Sequence, residues 1–210
     1  MLHSQDFRHA ARELCEYGRS LYERGWSPAT SSNYSVRLTS GCCALTCSGK
    51  HKGELTADDI MVVDWQGHAL TEGRPSAETL LHTQLYQRDE NIGAVLHTHS
   101  PVAAVLSQIW PDNTLSFTGW ELQKAFAGEH SHEGRVTFPL FDNDQDIQRL
   151  ANRVEQTMQA QGQGHAYLIR GHGVYTWGKD LASCFRHLEA LENLLGYQLE
   201  LLKLGHSPKP

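Results

Sequence analysis

The stretch Ala94-Val95-Leu96-His97-Thr98-His99-Ser100-Pro101 decides how the chain is expected to fold. Its apolar run predicts a β-strand, and residues two apart in a strand face the same side, so His97 and His99 present two imidazoles together. Ser100 is a typical N-cap and Pro101 a typical first helical residue, which predicts a helix directly after the strand. Two nitrogen ligands on one rigid edge make half of a zinc site, although ordinary core or surface histidines explain the pair equally well at this point.

The elements on either side of this stretch follow from hydrophobic periodicity and turn residues. Helices are predicted over residues 6–24, 75–88, 101–108, 120–127, 145–160 and 180–204, and strands over 34–38, 43–47, 60–65, 115–118, 136–141, 166–169 and 174–177, with a turn at Ser40-Gly41. Hairpins join neighbouring strands and the helices are interspersed irregularly. We therefore expect an α/β fold: a single domain with a central, mostly antiparallel β-sheet flanked by helices.

Composition narrows the class of partner. The chain has 210 residues, a formal net charge of −6 and no run of Lys and Arg, which argues against a nucleic-acid surface and favours a small-molecule substrate. No apolar run approaches the roughly 18 residues needed to cross a bilayer, and residues 1–6 lack a signal-peptide pattern. We expect no membrane association and a cytoplasmic location.

Several other side chains are potential metal ligands. The five cysteines are Cys15, Cys42, Cys43, Cys47 and Cys184, an odd number without a paired Cys-x-x-Cys spacing, which suits a reducing compartment. Cys42, Cys43 and Cys47 lie in or beside an apolar β-like run, where free cysteine behaves as a small buried hydrophobe, so we expect them in the core. His130 and His132 lie in a polar, glycine-flanked loop without a rigid support, and we expect them to be solvated.

A third histidine stands on a tight turn between two predicted strands, at Gly171-His172-Gly173. Glycines allow the backbone to bend there and to approach a ligand closely. Together with His97 and His99, this histidine would complete a three-histidine catalytic metal set with coordination positions open for substrate.

Five separated motifs resemble the class II aldolase and adducin-head family over nearly the whole chain. In chain order they are Thr30-Ser31-Ser32-Asn33, Ser48-Gly49, Pro75-Ser76-Ala77-Glu78, His97-Thr98-His99 and Gly171-His172-Gly173. The resemblance implies a class II aldolase-like domain over residues 1–210, a sugar-phosphate substrate, and a homotetramer with sites near the subunit interfaces. It also implies one Zn²⁺ per subunit, held by His97, His99 and His172. Imidazole ligands suit Fe²⁺ as well, which stays an alternative metal.

The first three motifs look like the phosphate loops of that family. The residues that they place around the phosphate are Ser31, Ser32, Asn33, Ser48, Gly49 and Ser76. Small hydroxyl side chains and loop N–H groups together form an anion cradle, to which Lys50 and His51 are expected to add charge. Two positions depart from the sugar-phosphate aldolases: Ser32 stands where glycine is usual, and Ala77 stands where a second serine is usual.

The segment Phe117-Thr118-Gly119-Trp120-Glu121-Leu122-Gln123-Lys124-Ala125 is similar to one branch of the family, methylthioribulose-1-phosphate dehydratase. That resemblance implies conversion of 5-methylthioribulose 1-phosphate to 5-methylthio-2,3-dioxopentyl phosphate and water in methionine salvage, through a metal-stabilised enediolate. It also implies that Glu121 donates and accepts the proton, and we expect this carboxylate to be buried near the metal. Glu78 is the second catalytic candidate, because the glutamate of the aldolases falls at that position.

Two rival functions are compatible with the same motifs. A class II sugar-phosphate aldolase or epimerase of the fuculose, rhamnulose or ribulose phosphate type would use the same metal, since breaking C3–C4 and loss of the C3 proton both yield an enediolate over C2 and C3. A non-catalytic scaffold like the adducin head would keep the fold without needing a metal site. The presence of His97, His99 and His172 argues against the scaffold.

Overall fold

The structure is a computed structural model that describes residues 4–39 and 41–206. Ser40 of the predicted turn and residues 1–3 of the N-terminal segment lie outside the described residues. Within the described ranges, no helix combines the length and the apolarity that crossing a bilayer requires.

A mixed β-sheet forms the centre of the molecule. Its strands are β1 (Asn33–Thr39), β2 (Cys42–Thr46), β3 (Ile60–Asp64), β4 (Ala94–Thr98), β5 (Thr114–Phe117), β6 (Val136–Phe141), β7 (Ala166–Ile169) and β8 (Gly173–Gly178). In space they follow the order β3-β2-β1-β4-β8-β7-β6-β5. Neighbouring strands pair antiparallel except β6 and β7, which run parallel. The predicted α/β fold with a mostly antiparallel sheet is confirmed.

Helices cover both faces of this sheet. They are α1 (Gln5–Glu23), α2 (Thr79–Arg88), α3 (Pro101–Ile109), α4 (Ile147–Gln161) and α5 (Leu181–Lys203). One apolar cluster joins α1, α3 and α5 to one face, through residues such as Leu14, Leu106 and Leu191. A second cluster joins α2 and α4 to the other face, through Leu85 and Val154. Because strand side chains alternate between the faces, β4 in the middle of the sheet is buried along its whole length.

The helix that follows the β4 histidines begins as predicted. The Ser100 hydroxyl oxygen accepts a hydrogen bond from the Ala103 N–H at 3.0 Å, and Pro101 occupies the first turn, where its missing N–H has no helical partner to lose. The buried carboxylate of Glu192 on α5 accepts a hydrogen bond from the Ser100 hydroxyl at 2.6 Å. These contacts fix the backbone turn that carries His99.

The entry into α2 differs from the prediction. The helix begins at Thr79, so the predicted start at Pro75-Ser76 was wrong by about one turn. The Ser76 hydroxyl accepts hydrogen bonds from the Asn33 amide and from the Glu78 N–H, both at 3.2 Å. These bonds hold the preceding segment as a turn against the sheet, where local helix signals are overridden.

The predicted short helix at 120–127 is a 3-10 helix over Glu121–Ala125. Its geometry is held by Gln123, whose buried amide accepts from the Trp120 N–H and donates to the Gly134 carbonyl, both at 2.9 Å. The segment is therefore tied to the loop that follows it.

The cysteines behave as the composition indicated. All five are free, and Cys42, Cys43, Cys47 and Cys184 are buried, whereas Cys15 is half-buried. Burial raises the pKa of the Cys184 thiol to about 12 and also raises the pKa of Cys47, so these thiols are protonated near neutral pH. The expectation that Cys42, Cys43 and Cys47 lie in the core is confirmed.

Candidate active site

His97 lies near the C-terminal end of β4, a strand in the middle of the sheet. Its side chain is completely buried, and its ring stacks on that of Tyr175 in β8 with the centroids 4.0 Å apart. Nδ1 lies 2.9 Å from the Val174 carbonyl oxygen, and because a carbonyl only accepts, Nδ1 carries the proton. Nε2 is then unprotonated and carries a lone pair. It lies 3.3 Å from Oε2 of Glu78 and has no hydrogen-bond partner among the described residues. A backbone acceptor on the far ring nitrogen is the usual arrangement of a metal-binding histidine.

His99 and His172 complete a tight group of three imidazoles. The ring centroids are 4.5 Å apart for His97 and His99, 4.5 Å for His99 and His172, and 5.0 Å for His97 and His172. His172 arrives from the β7–β8 turn, which packs against the end of β4. A Cβ atom at Gly173 would lie 1.9 Å from the Thr98 carbonyl oxygen, so only glycine allows this approach.

Glu78 joins the three histidines from the turn before α2. Its Oε1 lies 3.1 Å from Nε2 of His172, and its Oε2 accepts hydrogen bonds from the Asn33 amide at 2.9 Å and the Tyr175 hydroxyl at 3.1 Å. One ligand atom of Glu78 and one of each histidine all lie within 4.8 Å of one another. Sequence reasoning placed Glu78 among the catalytic candidates and missed it as a metal ligand, because its position depends on the non-helical entry into α2.

The electrostatics of this group suit a divalent cation. Burial is the main reason why the pKa of His97 lies well below its usual value and the pKa of His99 is lowered to about 3, and the neighbouring imidazoles add to both shifts. Both rings are therefore neutral near pH 7, and the neutral imidazole is the form that binds a metal. Three imidazole nitrogens and a carboxylate oxygen are donors that zinc and other first-row divalent metals accept. The residues present fit a metal ion.

The three predicted phosphate loops meet beside this group. The Asn33 amide donates to the Ser76 hydroxyl oxygen at 3.2 Å, which joins the first loop to the third. The Ser48 N–H donates to the Arg74 carbonyl at 2.9 Å, which joins the second loop to the third. Residues far apart in the sequence thus form one polar surface where β1 begins and β2 ends.

A buried lysine links the first two loops. Nζ of Lys52 donates to the Lys50 carbonyl at 2.7 Å and approaches the Thr30 carbonyl at 3.4 Å, and the residue is only 1% exposed. Burial lowers the pKa of Lys52 to about 8. Lys50, which was expected to add charge, pairs with Asp59 at 2.8 Å, and the ring of His51 packs against an aromatic side chain of α1. Lys52 is the cation between the loops, and sequence reasoning missed it.

Ser32 adopts a backbone conformation that favours glycine, with φ at +71°. Its hydroxyl oxygen is buried and faces the Tyr34 hydroxyl, which is already hydrogen-bonded to Ser27. The neighbouring Ser31 hydroxyl, by contrast, donates to the Pro28 carbonyl at 2.6 Å. The Ser32 hydroxyl is therefore free to donate to a bound anion.

The sequence matches a known protein family along most of its length. Residues 12–199 match the class II aldolase and adducin N-terminal domain. The chain belongs to this family. It is 55% identical to the methylthioribulose-1-phosphate dehydratase of Alcanivorax borkumensis, over 96% of this chain and 95% of that protein. It is 53% identical to the protein of the same name in Pseudomonas fluorescens, over 90% of this chain and 92% of that protein.

Solved structures of class II aldolases share the fold. An L-fuculose 1-phosphate aldolase superposes with a TM-score of 0.78 at 25% identity, over 98% of this chain and 90% of that one. The L-fuculose-1-phosphate aldolase from Thermus thermophilus superposes with a TM-score of 0.73 at 26% identity, over 96% of this chain and 98% of that one. The family is metal-dependent, and the glutamate–histidine group supplies a place for the metal in this class II aldolase domain.

Glu121 stands apart from the glutamate–histidine group in this class II aldolase domain. Its side chain is 69% exposed, it pairs with Lys124, and its Oε1 lies 3.0 Å from Nδ1 of His132. The hydrogen bond to Lys124, with the charges of both neighbours, holds the pKa of Glu121 below its usual value. The expectation that Glu121 is buried near the metal is wrong for a single copy of the chain. His130 and His132 are exposed, as expected for this loop.

Proposed function

We propose that the chain is a metal-dependent dehydratase of 5-methylthioribulose 1-phosphate, a carbon–oxygen lyase of methionine salvage. The products would be 5-methylthio-2,3-dioxopentyl phosphate and water. The observation that carries this proposal is the identity of 52–55% to relatives of that name, along 90–96% of the chain. A metal-binding group beside three converging polar loops agrees with a ketose phosphate as substrate.

The two ends of the substrate have separate partners in this proposal. Ser31, Ser32, Asn33, Ser48, Gly49 and Ser76 surround the phosphate, and Lys52 adds positive charge between two of these loops. His97, His99, His172 and Glu78 hold one Zn²⁺ per subunit. When bound, Zn²⁺ supplies a Lewis acid that stabilises negative charge developing on the C2 and C3 oxygens.

Glu121 is the proposed acid and base of the reaction. It takes the proton from C3 and returns it to the departing C4 hydroxyl, which leaves as water. In one copy of the chain the carboxylate is exposed, is paired with Lys124 and lies outside the group formed by Glu78 and the three histidines. We propose that Glu121 serves the site of a neighbouring subunit in a homotetramer.

The placement of Glu121 supports this arrangement. Glu192 of α5 lies at the level of Ser100, just beyond the end of β4. Tyr197 follows Glu192 by five residues, which is about 7.5 Å of helix toward the same end of the sheet, and its ring packs on Trp120 at 4.9 Å. Glu121 therefore projects from the end of the molecule that carries the histidines.

The second half of α3 offers a surface for the neighbouring copy. Val105 is 49% exposed and Ile109 is 56% exposed, and they lie four residues apart on one face of the helix that follows His99. Exposed apolar side chains in a row favour burial against another protein surface. A second copy is the partner that a homotetramer requires.

A hybrid enzyme tests the shared site. Chains carrying Glu121→Gln and chains carrying His97→Ala, each inactive alone, are co-expressed with different tags and purified as a mixture of tetramers. If Glu121 acts in a neighbouring subunit, random association restores about a quarter of the sites. Activity that stays at the level of the separate variants would contradict the shared site. The dehydratase activity itself is tested separately, by the assay of the wild-type protein.

The five free cysteines support a cytoplasmic location, which we also propose. Disulfides form in oxidising compartments, and unpaired thiols are typical of the reducing cytosol. Fractionation of cells that express the tagged chain at its natural level would test the location.

A class II sugar-phosphate aldolase is the second candidate function. It is favoured by one observation, the presence of Glu78 among the histidines, where the glutamate of the aldolases is expected. The test compares kcat/KM for dehydration of 5-methylthioribulose 1-phosphate with kcat/KM for retro-aldol cleavage of fuculose and rhamnulose 1-phosphates. We expect dehydration to be faster by at least about 100-fold, because a pocket shaped for one substrate group discriminates by roughly 10- to 200-fold. Comparable or faster retro-aldol cleavage would refute the dehydratase.

A further inference from the structure

A hydrogen-bonded chain of buried polar side chains, formed by Asn33, Ser35, His82 and Tyr86, runs between β1 and α2. Asn33 and Ser35 are two apart on β1, so they face the same side and stand about 6.8 Å apart along the strand. His82 and Tyr86 are four apart on α2, so they lie on one face and are about 6 Å apart along the helix. The two spacings match, and the side chains of the strand and the helix interleave. All four residues are buried.

The contacts are continuous from the core to Glu78. The Tyr86 hydroxyl lies 2.8 Å from the Ser35 hydroxyl oxygen, which lies 2.7 Å from Nδ1 of His82. Nε2 of His82 is hydrogen-bonded to Oδ1 of Asn33. The Asn33 amide nitrogen then donates to Oε2 of Glu78 at 2.9 Å.

The carboxylate at one end sets the direction of every bond in this chain. An ionised carboxylate only accepts, so Asn33 must turn its NH₂ toward Glu78 and its oxygen toward His82. An amide oxygen also only accepts, so Nε2 of His82 must carry a proton. In a neutral ring Nδ1 is then the acceptor, so Ser35 donates to it and in turn accepts from Tyr86.

Burial keeps the chain in this state. It lowers the pKa of His82 to about 4, against the smaller opposing effect of Glu78, so the ring carries one proton near pH 7. Burial also raises the pKa of Tyr86 well above its usual value, so its hydroxyl remains a donor. A buried polar chain in which every member has a partner holds its side chains in one arrangement.

We propose that His82 is a positioning residue of the active site: its Nε2–H tautomer orients the amide of Asn33, which holds the Glu78 carboxylate toward His97 and His172. Without the imidazole donor, the Asn33 amide is free to turn over and present its oxygen to Glu78. Two acceptors would then face each other, and Glu78 would rotate away from the histidines. The catalytic consequence rests on the proposed dehydratase function, whereas the tautomer and the metal affinity do not.

The first test needs neither metal nor substrate. Nitrogen-15 NMR of the histidine side chains in the metal-free protein, assigned with a His82→Gln variant, reports which ring nitrogen carries the proton. We expect a single Nε2–H tautomer at His82. A Nδ1–H tautomer or a mixture of the two would overturn the proposal.

The second test compares replacements of the ring. His82→Gln keeps an N–H₂ donor that can reach Asn33, whereas His82→Leu keeps the bulk and removes the donor. We expect His82→Leu to weaken Co²⁺ binding and to lower kcat, at equal metal loading, by about 10- to 100-fold, the usual effect of losing a partner that orients a ligand. His82→Gln should restore most of the Co²⁺ affinity and most of kcat. Thr83→Val changes a buried residue of α2 that is not part of the hydrogen-bonded series, and it should leave both quantities unchanged.

The outcomes separate positioning from a general structural role. Equal losses in His82→Gln and His82→Leu, or wild-type Co²⁺ affinity in His82→Leu, would contradict the proposal. If His82→Leu does not fold, Ser35→Ala takes its place: because the Asn33 oxygen still only accepts, the Nε2–H tautomer of His82 should persist in the NMR spectrum of this variant, and a change to Nδ1–H would contradict the proposal. A wild-type protein that binds Co²⁺ with the expected tautomer but does not dehydrate the substrate would refute the proposed function and leave the role of His82 intact.

Discussion

Replacing Ser32 by glycine should stabilise the protein and weaken phosphate binding at the same time. At φ +71° a residue with a Cβ is strained by about 1 kcal/mol, and the buried hydroxyl, which makes no well-formed hydrogen bond, costs about 1 kcal/mol more. The greater flexibility of glycine in the unfolded chain opposes this gain by about 0.5–1 kcal/mol. The net effect on the free energy of unfolding is about +1 kcal/mol, which raises Tm by about 2–4 °C in a chain of this size.

In the proposed phosphate site, the same substitution removes a donor to the phosphate dianion. A hydrogen bond to a charged group contributes about 1.5–3 kcal/mol, so the Kd for inorganic phosphate and the KM for the sugar phosphate should rise by about 10- to 100-fold. Thermal unfolding and phosphate titration calorimetry measure the two effects separately. Ser32→Ala should lose affinity equally but gain less stability, because it keeps the Cβ. Ser31→Gly, which breaks the bond to the Pro28 carbonyl, should lower Tm.

The reasoning about Ser32 would be refuted by either half of the measurement. An unchanged Kd for phosphate in Ser32→Gly would place the anion away from this hydroxyl. A lower Tm would mean that the strained backbone is compensated elsewhere in the loop.

Three further predictions concern single side chains. His97→Ala should weaken divalent metal binding by more than about 100-fold, since even orienting partners of ligands contribute 10- to 100-fold, whereas the exposed His68→Ala should bind metal normally in equilibrium dialysis. Between about pH 7 and pH 9, where the substrate phosphate remains a dianion, KM should rise as Lys52 loses its proton near pH 8, and Lys52→Gln should show a higher KM that does not change with pH. Burial raises the pKa of Glu192 to about 7, above its value in the unfolded chain. The folded state therefore binds more protons than the unfolded state between about pH 4.5 and 7, and the free energy of unfolding should fall as pH rises through that range. Glu192→Gln should lessen this fall, as measured by urea unfolding of the metal-free protein.

Local sequence signals predicted the elements that carry the histidines. The apolar run before His97, the N-cap at Ser100 and the proline after it act over one or two turns, so they do not depend on the rest of the fold. Gly171-His172-Gly173 is equally local, because the close approach of β8 to β4 requires glycine in the turn itself. The contact between these two stretches depends on the tertiary structure, and it was expected only from the family resemblance.

Patterns that depend on packing were harder to interpret. The polar residues Asn33, Ser35 and Arg37 alternate with apolar ones along β1, a pattern that is usual for a face in contact with water. In the structure α2 covers this face, and Arg37 donates to the Tyr86 and Asp89 carbonyls at the end of that helix. Nothing in a single sequence marks which polar face of a strand will be covered by a helix 45 residues later.

The charges near the site illustrate the same limit. Lys50 and Lys52 are two residues apart in one loop, yet the first pairs with Asp59 in a partly exposed position and the second is buried between two loops. The motif around Glu121 predicts a catalytic role but does not indicate that its side chain is 69% exposed, because exposure depends on how the segment packs in the folded chain. Burial, which decides the chemistry of each of these groups, is set by contacts between distant segments.

The identity of the product tests the central claim most directly. Purified, zinc-loaded protein is incubated with 5-methylthioribulose 1-phosphate, and the phosphorus-31 and carbon-13 NMR spectra are followed over time. The account predicts a single new phosphate ester with adjacent carbonyls at C2 and C3, formed with loss of the C4 hydroxyl, and a loss of turnover on the order of 10²–10⁴-fold in Glu121→Gln. The appearance of dihydroxyacetone phosphate with a methylthio aldehyde, or near-normal dehydration in Glu121→Gln while Glu78→Gln is inactive with its metal retained, would contradict it.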